Sequence, residues 1–521
     1  MLRFTRRAFL HTLAAGVAAQ AAHAAQAAHA AQAVPLGRGA PVRLGGARDP
    51  FALGVASGDP RSDGFVIWTR LAPNPVNGGG MPPAPVRVRW EVADDQAMKR
   101  IVGRGSVLAS PEWAHSVHVE LTGLAPDRWY WYRFSTTETA SAVGRGRTLP
   151  ATGTATTHLR FAFASCQHYE HGYFTALGHL SREDVSLVFH LGDYIYEYAP
   201  GDGRARRHST PEPFTLADYR NRYAEYKTDP DLQAAHAACP WIVTWDDHEV
   251  ADNYAGPRPA IGEPVDGFLR RRAAAYRAYY EHMPLRPASA PRDGETRLYR
   301  GFRCGQLASF FVLDTRQYRT PQPCGDNTTW PCDGMRDPRA TLLGPEQARW
   351  LFEGLGASPT RWNLIPQQVM VAKVNRRQQG RDRFTMDHWA GYDVERRRLL
   401  AVLASRPDLN PVLLTGDVHS NWVNDVRETP DAPTVATELV GTSTTSGGDG
   451  QDMPRAMEAV LADNPFIRFY NEQRGYVVCD VTTARLQADY RVVDRVSTPD
   501  SPRRTRASFI VESGRPGAHQ L

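Results

Sequence analysis

The chain has 521 residues, 42% of them apolar and 22% charged, which suits a globular protein of two domains or one elaborated domain. Its formal charge of +5 falls to about +2 once Arg3, Arg6 and Arg7 of the N-terminal segment are set aside, so no specific nucleic-acid partner is expected. No later stretch approaches roughly 18 uninterrupted apolar residues, which excludes a helical membrane span and any stable anchor of that kind.

Residues 1–33 open with Thr5-Arg6-Arg7-Ala8-Phe9-Leu10 and continue as an alanine-rich tract without an acidic residue. Paired arginines before Phe-Leu read as a twin-arginine export signal, with Ala-x-Ala sites at Ala22-His23-Ala24 and Ala31-Gln32-Ala33. The expected location is periplasmic or secreted, with the twin-arginine translocase as a partner during export. Residues 34–50 are rich in Gly, Pro and Arg and read as a linker.

From Phe51 to Pro150 the pattern is all-β. The runs Gly64–Arg70, Val86–Val92 and Ser116–Leu121 alternate at period two. The stretch Leu124–Phe134 looks like the tyrosine corner of a fibronectin-III sandwich, in which a hydroxyl bonds back to upstream backbone. The expectation is an N-terminal β-sandwich domain over 51–150. A Thr/Gly/Ala linker then leads to a catalytic domain over 158–521.

That second part alternates strands and helices and predicts an α/β sandwich. Four of its apolar runs end in side chains that suit metals. Leu159–Ser165 delivers Cys166, and Val185–Gly192 delivers Asp193 and Tyr196. Trp241–Trp245 delivers Asp246-Asp247-His248-Glu249, and Pro411–Gly416 delivers Asp417 and His419. Ligands gather outside the carboxyl ends of strands in open α/β sheets. Carboxylates suit hard cations, and phenolate suits ferric iron. Asp417 and His419, two apart, would face one side of an extended chain and bind one ion each or share one. Singly, each of these residues has an ordinary structural explanation; four such strand ends together point to a metal site.

Helices are predicted over 173–180, from 267 to 280 and from Gly344, and hairpins over 298–314 and 475–493. The Pro/Gly-rich segments 199–213, 255–266 and 318–341 are candidate loops over the site. Six cysteines fit an oxidising compartment. Cys324 and Cys332 are the best local disulfide, Cys239 and Cys304 are a long-range possibility, and Cys479 reads as a buried strand residue.

The ordered set Ser-Cys-Gln, Gly-Asp-x-x-Tyr, Asp-Asp-His-Glu and Gly-Asp-x-His resembles the PhoD-like alkaline phosphatases, relatives of the purple acid phosphatases within the calcineurin-like metallophosphoesterases. The resemblance implies an α/β metallophosphoesterase sandwich after an all-β fibronectin-III-like domain. It implies Fe(III) held by Cys166, Asp193, Tyr196 and His419. It implies Ca2+ nearby, with Asp193 bridging and Asp247, Asn253 and Asp417 as ligands. The superfamily's isolated His motif has no clear match; Pro366-Gln367-Gln368-Val369 occupies that strand end.

The chemistry that follows is phosphate-ester hydrolysis. A metal cluster neutralises the ester's charge, orients it and makes hydroxide from water. His248 is the residue to protonate the leaving alkoxide or bind a phosphoryl oxygen, or else it orients Asp247. Arg316 is a weaker phosphate contact, since a surface ion pair explains it as well. The expected substrates are small-molecule or lipid phosphate esters. A phosphomonoesterase is the first reading, a phosphodiesterase or phospholipase D of the same family the second, and a secreted binding module with a retired site the third. The absence of a Gly-x-Ser-x-Gly elbow and of a Walker loop disfavours a serine hydrolase and an NTPase.

Overall fold

A computed structural model describes residues 49–521; the export signal expected over 1–33, and the linker as far as residue 48, lie outside the described residues. Two mixed sheets face each other. The ten-stranded sheet centres on four parallel strands: His158–Ala164, Val188–Leu191, Pro240–Thr244 and Val55–Arg61. The seven-stranded sheet centres on Ala308–Val312, Trp362–Pro366, Pro411–Thr415 and Ala436–Val440, also parallel.

Alternation along these strands sorts the side chains into three apolar layers. Phe161, Phe189, Phe310, Leu364 and Leu414 fill the space between the sheets. Val188, Trp241 and Val243 point outward, under the helices Leu216–Lys227, Pro230–Ala238 and Phe268–His282. Leu313, Ile365 and Leu413 point the other way, under Gly344–Gly356 and Asp393–Ser405. The result is a helix–sheet–sheet–helix sandwich. Strands in such sheets are covered on both faces, which is why their runs are apolar throughout.

The N-terminal strands do not stand apart. Val55–Arg61, Gly64–Arg70 and Ser116–Glu120 extend the ten-stranded sheet, through parallel pairing of Ser57 and Gly58 with Pro240 and Trp241. Their other face packs on a four-stranded sheet holding Val86–Ala93 and Trp129–Ser135, with Phe65, Ile67, Val88 and Tyr132 between. One sheet of the sandwich thus crosses the boundary expected at residue 150. The Tyr130 hydroxyl meets the Ala125 backbone at 2.9 Å from N and 3.3 Å from O, which is the tyrosine-corner bond.

Local outcomes follow packing. The run from Val185 yields a strand only over Val188–Leu191, and the helix expected from 173 spans Thr175–Leu180. Cys324 and Cys332 form a disulfide. Cys239 and Cys304 do not pair: Cys239 lies in the outer helical layer and Cys304 between the sheets, both as buried thiols. Cys479 lies in the same inter-sheet layer, as expected.

Candidate active site

One geometric rule builds the site. Two residues past the ends of six of the eight central strands stand Cys166, Asp193, Asp246, Asp314, Gln368 and Asp417. The intervening residue turns the chain. Gly192, at φ 109°, leaves no room for a side chain, since an added Cβ would sit 2.4 Å from that of Asp246.

Several site residues then sit in the left-handed region: Cys166 at φ 58°, Asp193 at 55°, Asn253 at 49°, Asp417 at 64° and His419 at 52°. Such backbone is uncommon outside glycine and is held only where surroundings over-determine it. Glu249 does much of that holding. Its carboxylate accepts the backbone N–H groups of Asp193 at 3.1 Å, Tyr194 at 2.6 Å and Asp246 at 2.9 Å. Burial, then the Asp193 charge, lift its pKa to about 8. The left-handed turns also correct the extended-chain reading of 417–419. Asp417 and His419 face different groups instead of one side.

The first group is Cys166, Asp193 and His419, whose ligand atoms lie within 4.8 Å of one another. Tyr196 joins them: its hydroxyl donates to Asp193 Oδ2 at 2.8 Å, lies 3.1 Å from His419 Nε2 and accepts from Ser446 Oγ at 2.7 Å. Burial, then Asp193, push both the Cys166 thiol and the Tyr196 phenol well up. The second group is Asp246, Asp247 and Asp417, and a third joins Asp193 to Asp247 and His248. Asp193 therefore touches both halves. Asn253 is half-buried and donates its backbone N–H to Asp247 Oδ2 at 2.7 Å.

Arg316 is no surface ion pair. It is fully buried among four carboxylates: it bonds Asp246, bonds Asp387 at 2.8–2.9 Å, and lies 3.4 Å from Asp247 and 4.0 Å from Asp417. Its guanidinium is taken up by protein carboxylates of the site. Burial pushes Asp246 up despite Arg316, whereas at Asp247 Arg316 and His248 outweigh burial and hold the pKa down.

His248 donates through Nδ1 to Glu197 at 2.8 Å, while Nε2 faces Asp252 at 3.8 Å and Asp247 at 4.0 Å. Burial works against charge on this ring, yet Glu197, Asp247 and Asp193 outweigh it and hold its pKa well above the usual histidine range.

Sequence reasoning missed Glu197, Asp387 and His388. His388 Nε2 lies 3.1 Å from Asp417 Oδ2, and Asp387 takes Arg316, Arg319 and Gln322. The dipeptide Asp387-His388 follows only the two-residue strand Phe384–Thr385, too short to show as an apolar run, so the fold delivers it. At the end of strand Trp362–Pro366 stands Gln368, a brace: it bonds Thr244, Leu313 and Thr315.

The residues fit cations. Asp193 Oδ1, Asp246 Oδ2 and Asp247 Oδ1 are buried without a hydrogen-bond partner, a costly condition that a bound cation relieves. Thiol, phenol and imidazole gather in one half, and hard oxygens in the other.

A two-sheet α/β sandwich with acidic, metal-ready strand ends defines a hydrolase of the metal-dependent phosphatase class. The family models for the PhoD-like phosphatase and for its N-terminal domain match residues 161–490 and 39–150. The chain belongs to the PhoD-like phosphatase family. It is 50% identical over 480 residues to alkaline phosphatase D of Bacillus subtilis (strain 168), covering 91% of this chain and 82% of that protein. The solved structure titled "Structure of PhoD" superposes with a TM-score of 0.90 at 50% identity, covering 92% of this chain and 93% of that one.

Proposed function

We propose that this protein is an exported, metal-dependent alkaline phosphatase acting on phosphate monoesters. The observation that carries the reading is the pair of abutting ligand groups that share Asp193, with buried carboxylate oxygens left unpartnered. Cys166, Asp193, Tyr196 and His419 would hold Fe(III), since thiolate, phenolate, carboxylate and imidazole suit it. Asp193, Asp247, Asn253 and Asp417 would hold Ca2+, which takes oxygen donors in flexible geometry. Such ions, when bound, neutralise the ester's charge, orient it and make hydroxide available near neutral pH.

The chain's own part is positional. Glu249 fixes the Asp193 and Asp246 turns against each other. Glu197 fixes His248 so that Nε2 is the nitrogen left for the ester. An imidazolium kept charged by Glu197, Asp247 and Asp193 can give its proton to the leaving alkoxide. Arg316 stays with its carboxylates and keeps the acidic half from repelling itself. Export rests on Arg6-Arg7 and the alanine-rich tract behind them, and makes the twin-arginine translocase a partner in transit.

The test is hydrolysis of a chromogenic phosphomonoester and its diester analogue by purified mature protein, with and without chelator. Monoester turnover abolished by calcium chelation supports the reading. Diester turnover alone moves it to a phosphodiesterase or phospholipase D with the same residues. No turnover of either by metal-replete protein sinks it.

A further inference from the structure

Three tyrosines alternate along one short stretch after the Asp193 turn. Tyr194 and Tyr196 are 1% and 2% exposed, but Tyr198 is 42% exposed. Its backbone is pinned, since its carbonyl accepts from Arg222 at 3.1 Å and faces His208 Nδ1 at 3.2 Å. Its ring therefore stands out by construction, not through a slack loop. That ring meets His248 edge-on at 5.1 Å, Tyr196 at 6.2 Å and His168 at 6.1 Å.

His248, its side chain 10% exposed, has Nδ1 committed to Glu197, so a group that meets this ring does so at Nε2. Tyr198 stands edge-on beside that ring and is the exposed aromatic face next to it. On the same nitrogen's side, Asp252 places a half-exposed carboxylate 3.8 Å away. A carboxylate at that rim disfavours an anionic leaving group, while an aromatic face favours a flat, uncharged one.

We propose that Tyr198 forms a leaving-group subsite, which selects phosphate esters of uncharged aromatic alcohols by stacking. The subsite rests on the phosphatase reading above.

The experiment compares benzyl, cyclohexylmethyl and ethyl phosphates with metal-replete full chain. Their leaving alcohols are similar in basicity and differ in flatness and bulk. Wild type should prefer the benzyl ester, in kcat/KM, over the cyclohexylmethyl ester. Tyr198→Phe should keep that preference. Tyr198→Leu and Tyr198→Ala should cut it by roughly 3- to 10-fold, the scale of one aromatic stack. Calorimetric binding of benzylphosphonate against ethylphosphonate should lose the same factor, with no turnover involved.

A preference unchanged in the Leu and Ala variants overturns the subsite. Equal slowing of all three esters also overturns it, because Tyr198 would then act through His248 and not on substrate. Wild type that turns over none of the esters sinks the phosphatase reading, and the subsite falls with it. Wild type that turns over all three, with no change in preference on mutation, sinks the subsite alone.

Discussion

The two halves of the site solve the problem of buried charge in opposite ways. Around Cys166, Tyr196 and His419 the donors are linked mostly by hydrogen bonds, and Asp193 is the one carboxylate among them. Behind that half, burial suppresses the charge of two basic groups. Lys227 lies over the Tyr194 ring at 5.4 Å without a carboxylate partner among the described residues, and burial lowers it to about 7. Burial likewise holds His190 at about 3. Around Asp246, Asp247 and Asp417 the solution is a fixed internal cation, Arg316, itself braced through Asp387 by Arg319. The acidic half is thus partly compensated before any ligand arrives, whereas the thiol–phenol half gains its charge only when a cation draws off protons.

The largest effect should come where the halves meet. Asp193→Asn should lower kcat/KM by on the order of 10³ or more and reduce metal content in both halves, read by metal analysis. Unchanged activity and metal content would remove the shared-carboxylate assignment. Next, His248→Asn should slow turnover by roughly 10²–10⁴ while metal content holds, because the ring is placed to move a proton and not to bind the ions. A loss of metal instead would make it a ligand of the acidic half.

Arg316→Met tests the internal cation. Removing one partner of a buried charge cluster should cost about 3–5 kcal/mol in urea unfolding under chelation. Excess calcium should recover part of that loss, by supplying positive charge to the same oxygens. A loss that calcium leaves untouched would mean that Arg316 and the ion do not compete for one role.

The smallest effect is a slope. Lys227 has a folded pKa of about 7 against 10.5 when unfolded, so the unfolded chain binds the extra proton between those values. Stability should therefore rise with pH across that window, by up to about 1.4 kcal/mol per unit, and be lowest below pH 7. Tyr194 and Trp68 give the ammonium only ring faces, Trp68 at 4.3 Å. Lys227→Met should flatten the slope in pH-dependent urea melts. An unchanged slope would mean that Lys227 is not what sets it.

Much of this was legible in the chain. Four apolar runs, each released into Cys, Asp or His, became four strand ends, and the Cys324–Cys332 loop closed as a disulfide. Both hairpins formed as read, over Arg300–Val312 and Gly475–Val493. These are local signals: burial on both faces makes a strand apolar, and its last turn exposes whatever follows. Other features were invisible because they are relations between distant segments. Arg316 reads as any arginine until four carboxylates from three other segments close around it. Asp387-His388 has only the two-residue strand Phe384–Thr385 before it, too short to mark it. Asp417 and His419 separate because left-handed backbone, which spacing does not encode, turns them apart.

The sequence by itself determined the strand-end chemistry and the family-bearing motifs, since both depend on residues close together in the chain. The tertiary structure decided that Asp387 and His388 join the site, which arginine is buried, and that the N-terminal strands continue the ten-stranded sheet. Those outcomes depend on long-range pairing such as Ser57 with Pro240, and on desolvation that only a closed core imposes.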